Sequence, residues 1–203
     1  KEQLYRYAVS SALPFNTHSV IANTHRSFNS TGLAGRNCLL AIVFSVLCLP
    51  VAGLAQTQLG GDIENEPSQI ESNASVSLSL DGSRLAVGAR DNDENGSRSG
   101  HVRIHQWSGT AWEQLGSDID GEATDDLSGG AIALSADGNR VAIGAINNDG
   151  NGEDSGHVRV YQWSETDWVQ LGVDIDGEAS GDRSGSAVAL SADGGRLAIS
   201  AED

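Results

Sequence analysis

Leu115 to Gln170 reads LGSDIDGEATDDLSGGAIALSADGNRVAIGAINNDGNGEDSGHVRVYQWSETDWVQ, and the chain writes this stretch nearly three times. Leu59, Leu115 and Leu171 open the copies at intervals of 56 residues. His101 maps onto His157, Trp107 onto Trp163, Trp112 onto Trp168, and Arg84, Arg140 and Arg196 share one offset. Self-similarity at this period marks a solenoid, propeller or array, whose units bury their apolar faces against one another. The copies cover 59–114, 115–170 and, partially, 171–203.

Each copy carries four short runs of strand character. In the second copy the first is Ala131–Ser135, with Ile132 and Leu134 at a period of two. Asp137-Gly138 then reverses the chain, because glycine takes positive φ at little steric cost. Arg140–Gly144 is the second run, and its small residues suit a place where strands of adjacent units approach closely. His157–Trp163 is the third, and Trp168–Leu171, after a short turn, the fourth. No 3.6-residue period is sustained, so the repeats are all-β. Four antiparallel strands per unit make a β-propeller blade, and such rings close on about four to eight blades. Two and a fraction cannot close one. Either the sequence is a fragment of a longer protein, which is the reading favoured here, or several chains supply further blades, or the array is open.

Upstream, residues 1–36 are polar and unlike the repeats, and read as a disordered or upstream extension. Residues 37–55, NCLLAIVFSVLCLPVAGLA, follow Arg36 with an apolar core and a small-residue exit, the pattern of a secretory signal peptide. The alternative is an uncleaved anchor, but Pro50 shortens the apolar run below the roughly 20 residues a membrane span needs. Cleavage after Ala55 leaves no membrane insertion and no cysteine, since Cys38 and Cys48 both lie in this segment. From Leu59 onward there are 27 acidic residues against eight arginines and no lysine, near −19. That charge excludes nucleic acid as a partner and suits divalent cations, basic partners or saline surroundings.

Two acidic stretches could carry chemistry. Between the second and third runs stand Asp91, Asp93, Asn95 and Ser99 in the first copy, and Asn147, Asp149, Asn151 and Ser155 in the second. Oxygen side chains at positions 1, 3, 5 and 9, with Gly96 and Gly152 at position 6, match the front of a calcium loop. Val102 and Val158 replace its bidentate glutamate at position 12, so any affinity is of the weaker, extracellular kind. The competing reading is turn chemistry, since Asn, Asp and Gly dominate hairpin loops without metal. The other stretch, Asp118, Asp120, Glu122, Asp125 and Asp126, recurs in each unit and reads as a solvated connecting loop. His101 and His157 show no metal-ligand spacing, no nucleophile elbow or triad is visible, and the four tryptophans read as blade packing.

Asp182–Ser191, Arg196–Ile199, Gly144-Ala145 and Ser155–Tyr161 resemble FG-GAP repeats, the blades of integrin-α-type propellers and of many bacterial surface proteins. The resemblance covers residues 59–203. It implies an extracellular propeller used for adhesion or protein recognition, often with calcium in its blade loops. Ser72, Ser128 and Ser184 stand where the family has the Phe of "FG", and Asn73 replaces its Gly in the first copy. Arg90, Ile146 and Glu202 stand where it has the Pro of "GAP". The family's calcium loop falls between the first two strands, where Asp137-Gly138 is too short for it. The Ser-Ala-Asp-Gly-x-Arg-Leu-Ala phrase is also similar to WD40-like propeller repeats of the periplasm. The expectation is a non-enzymatic, secreted or cell-surface recognition scaffold for a protein or glycan ligand, with calcium as its candidate cofactor. The alternative is part of a propeller-based extracellular polysaccharide hydrolase or lyase.

Overall fold

The computed structural model describes residues 7–10, 19–22, 58–63 and 74–202. The signal segment 37–55 and most of the 1–36 extension lie outside the described residues. Within that extension β1 (Tyr7–Ser10) pairs antiparallel with β2 (Ser19–Ala22). All described elements are strands, and no helix among the described residues is long and apolar enough to cross a membrane.

The first copy folds as β3 (Ala74–Leu78), β4 (Arg84–Ala89), β5 (His101–Trp107) and β6 (Trp112–Gln114), antiparallel and in that order. The second repeats it as β8 (Ser128–Leu134), β9 (Arg140–Ala145), β10 (His157–Trp163) and β11 (Trp168–Gln170). The third supplies β13 (Ala187–Leu190) and β14 (Leu197–Ser200), paired with each other. The described residues of the repeats thus form an open β-propeller arrangement of two four-stranded blades and the hairpin of a third.

One element was not expected from the sequence. β7 (Ile119–Asp120) and β12 (Ile175–Asp176) pair with the starts of β5 and β10, placing His101 opposite Asp120 and His157 opposite Asp176. The reason is hydrogen-bond accounting. β5 has seven residues and β6 three, so the first half of β5 would leave its outer backbone groups unpaired unless the returning chain filled them.

The first reversal in each blade is fixed by one carboxylate. Asp137 accepts from the Ser135 hydroxyl at 2.6 Å and the Asn139 amide at 3.0 Å, while Gly138 sits at φ 66°. Asp81 and Asp193 repeat the arrangement.

The main core lies between the first two blades. Ala86, Val102 and Ile104 of one meet Val141, Ile143 and Trp168 of the next. Leu85 and Val87, on the other face of β4, pack with Leu59, Ile63, Val76 and Trp112. β4 and β9 are therefore covered on both faces, which explains their runs of small and β-branched residues. A Cβ on Gly88 would stand 2.2 Å from the Gly129 carbonyl oxygen, and one on Gly144 at 2.2 Å from that of Gly185. The close approach expected from the small residues is present at both junctions.

Three further kinds of contact join successive blades. The Leu80 amide donates to Ala136 O and the Ala136 amide to Ala192 O, each at 2.9 Å. Ser75 donates its hydroxyl to Gly129 O, and the Leu134 amide donates to Ser77 Oγ. Arg84 reaches across to Gly138 O at 3.1 Å, and Arg140 to Gly194 O at 3.0 Å. The arginine repeated at one offset is an inter-blade latch.

Candidate functional site

The loop of eleven residues from Arg90 to Gly100 turns on Asn92, which is buried and accepts from the Glu94 amide at 2.8 Å. Asn148 does the same for Gly150 at 2.9 Å. Gly96 and Gly152 sit at φ 126°, the sharp bend expected at position 6. Of the eight candidate ligands, Asn151 and Ser155 are in contact, the Asn151 backbone amide donating to Ser155 Oγ at 3.2 Å. Asp93 accepts from the Arg98 amide at 2.7 Å and Asp149 from the Asp154 amide at 2.8 Å. Asn95 and Asn151 donate their amides to Gly121 O and Gly177 O, at 2.7 and 2.8 Å. Ser99 and Ser155 are fully buried, their hydroxyls turned to Asn92 O and Asn148 O. Asp91 lies 3.9 Å from Arg90, and Asn147 donates its backbone amide to Asp126 O. All eight residues lie in their loops, and in each copy the side chains at positions 3, 5 and 9 are engaged by backbone groups.

The connector that follows each blade lies along this loop. The amides of Gly121, Asp125 and Leu127 donate to Gly100 O, Ser97 O and Arg98 O, and the pattern recurs at Gly177, Gly181 and Arg183. The acidic run expected to be solvated is consequently only partly so. Asp126 is 3% exposed, because its carboxylate accepts from the Ala123 amide at 3.0 Å and from Asn148 Nδ2 of the next blade at 3.1 Å. It ties a connector to the following loop.

The same connector carries carboxylates to the histidines. Glu94, His101, Asp118 and Asp120 place one ligand-capable atom each within 4.8 Å of the others, and so do Glu122, His157 and Asp174. Burial holds the His101 imidazole down to about 4, reinforced by Arg103 and opposed by Asp118. His157 is likewise lowered by burial and Arg159, against Glu122 and Asp174. Both rings are therefore neutral near pH 7, with a lone pair to offer. Burial pushes Asp118 up, but Arg103, bonded to it at 2.8 Å, outweighs burial and keeps it below the ordinary carboxylate value. Asp120 is raised by burial and by its neighbours Asp118 and Glu94. Sequence reasoning missed these groupings because histidine and carboxylate are about 17 residues apart and meet through a two-residue strand. Their repetition at constant offset in two copies was the available signal.

The tryptophans pack, as expected. Trp107 with Trp112 and Trp163 with Trp168 form tilted pairs at 5.4 Å, and Trp168 Nε1 donates to Leu115 O at 2.8 Å.

No family profile matches the sequence, and no curated protein matches it. Among solved structures the chain is similar to the crystal structure of TolB from Acinetobacter baumannii, with a TM-score of 0.41 and 15% identity, covering 73% of this chain and 30% of that one.

Proposed function

We propose that this protein is a secreted or cell-surface recognition scaffold, non-enzymatic, that presents its blade loops to a protein or glycan ligand. One observation carries the reading: the frame is constant between copies and the exposed loop tips are not. Arg84–Ala89 and Arg140–Ala145 differ only by Leu/Val and Val/Ile exchanges. In the adjoining loops Glu94, Ser97 and Arg98 become Gly150, Glu153 and Asp154, all at exposed or half-exposed positions. Conserved framework with variable tips is how scaffolds separate stability from specificity. The FG-GAP resemblance supports the same reading, while calcium steadying the loops at Asp91–Ser99 and Asn147–Ser155 rests on their own spacing of oxygen side chains, not on the resemblance.

The test is binding of the full protein to immobilised glycans, extracellular proteins and intact cells, repeated with Glu94→Ala/Arg98→Ala and Glu153→Ala/Asp154→Ala. The scaffold reading expects binding lost by at least about tenfold with the melting temperature unchanged, since exposed substitutions normally move stability by under ~0.5 kcal/mol. Cleavage of a polysaccharide, or binding indifferent to both pairs, overturns it. Ca2+ added back to chelator-treated protein should raise the melting temperature, and Asp93→Ala/Asp149→Ala should abolish that rise.

A further inference from the structure

Glu122, His157 and Asp174 meet where the first blade passes to the second. His157 opens β10 and is 1% exposed. Neither of its ring nitrogens has a hydrogen-bond partner. Asp174 precedes β12, which is paired to β10 at His157 itself. Glu122 arrives from the other side, on the connector out of the first blade. A buried imidazole with both nitrogens unsatisfied is costly, and native structures rarely keep one without a purpose.

We propose that these three residues bind a divalent transition-metal ion of the borderline class, with zinc as its representative. An imidazole nitrogen with two carboxylate oxygens is a donor set for such an ion, whereas calcium takes oxygen alone. Three protein ligands leave a coordination position open. The local charge also fits. Arg159 lies 3.3 Å from Glu122 and donates another nitrogen to the backbone carbonyl of Asp120, so this cation stands beside His157 against the two carboxylates of the set, Glu122 and Asp174. Asp174 Oδ1 is engaged by Gln170 at 2.6 Å, which orients the carboxylate without neutralising it. In the first blade the homologous arginine behaves differently, since Arg103 is bonded to Asp118 itself at 2.8 Å. The shift of Arg159 to the preceding blade is what leaves Asp174 to the histidine. A metal held here would join two blades, and it is separate from the calcium loops.

The experiment is calorimetric titration of the full chain with Zn2+ and, separately, Ca2+, followed by Co2+ absorption spectroscopy. One zinc equivalent should be lost in Glu122→Gln, a conservative change at a half-exposed residue, and in Asp174→Asn. A loss of at least about tenfold in affinity is expected, since even an outer partner of a metal ligand is worth that much. His157→Gln should remove the cobalt ligand-field bands. Asp93→Ala/Asp149→Ala should leave zinc binding intact, and Ca2+ should not compete. Zinc binding unchanged in Glu122→Gln and Asp174→Asn, or no binding by the folded wild-type chain, overturns the proposal. Should His157→Gln fail to fold, the two carboxylate variants decide alone.

Discussion

At His101 and His105 the cost of burying a charge falls on the imidazole. Both are held down to about 4, first by burial and then by Arg103, with Asp118 pulling the other way. In the unfolded chain they titrate near 6.5. Their contribution to stability is therefore complete above pH 6.5 and is lost as pH falls from 6.5 toward 4, where the unfolded state binds more protons. Each could contribute up to about 3 kcal/mol across that window. The lowered carboxylates Asp81 and Asp137 act below this range, and the raised Asp120 works in the opposite sense. Denaturation from pH 7 to 4.5 should show stability falling, and His105→Tyr, the residue the second blade uses at Tyr161, should flatten the slope. A slope unchanged by His105→Tyr would show that the ring is not the titrating group.

β4 and β9 are the elements on which blade stacking depends. Gly144→Ala would press a methyl carbon onto the Gly185 carbonyl, and backbone on both sides cannot step aside. The loss should reach the top of the roughly 1–3 kcal/mol overpacking range, read as a drop in denaturation midpoint. Gly61→Ala, with no neighbour within 4 Å, should change nothing measurable. This crowding was legible in the sequence, because a run such as Arg-Val-Ala-Ile-Gly-Ala has nothing large to place between strands. The turn at Asp137-Gly138 was legible for the same local reason. β7 and β12 were not: two residues carry no periodicity, and their pairing follows from the unequal lengths of β5 and β6. The histidine–carboxylate groupings went unread with them. Asp126 was misread as solvated because its partner, Asn148, lies in the next blade.

Across the whole molecule the excess of negative charge sets the response to salt. A chain with 28 acidic and 12 basic residues repels itself when compact. Raising NaCl from about 0.01 to 1 M shortens the screening length from about 30 to 3 Å. The melting temperature should rise over that range in scanning calorimetry. A fall would mean that pairs such as Arg98–Asp125 and Arg103–Asp118 contribute more than the repulsion does.

The backbone bonds from Leu80 to Ala136 and from Ala136 to Ala192 all run the same way. The same pair of surfaces meets at each step, so the stack has a polarity, and each of these junctions joins unlike faces. Such head-to-tail contacts close or spiral according to the rotation made at each step. A shift of a few degrees at one junction type is then repeated wherever that junction recurs. The pitch of the assembly is thereby controlled by a small set of atoms, the Gly88–Gly129 and Gly144–Gly185 approaches foremost among them.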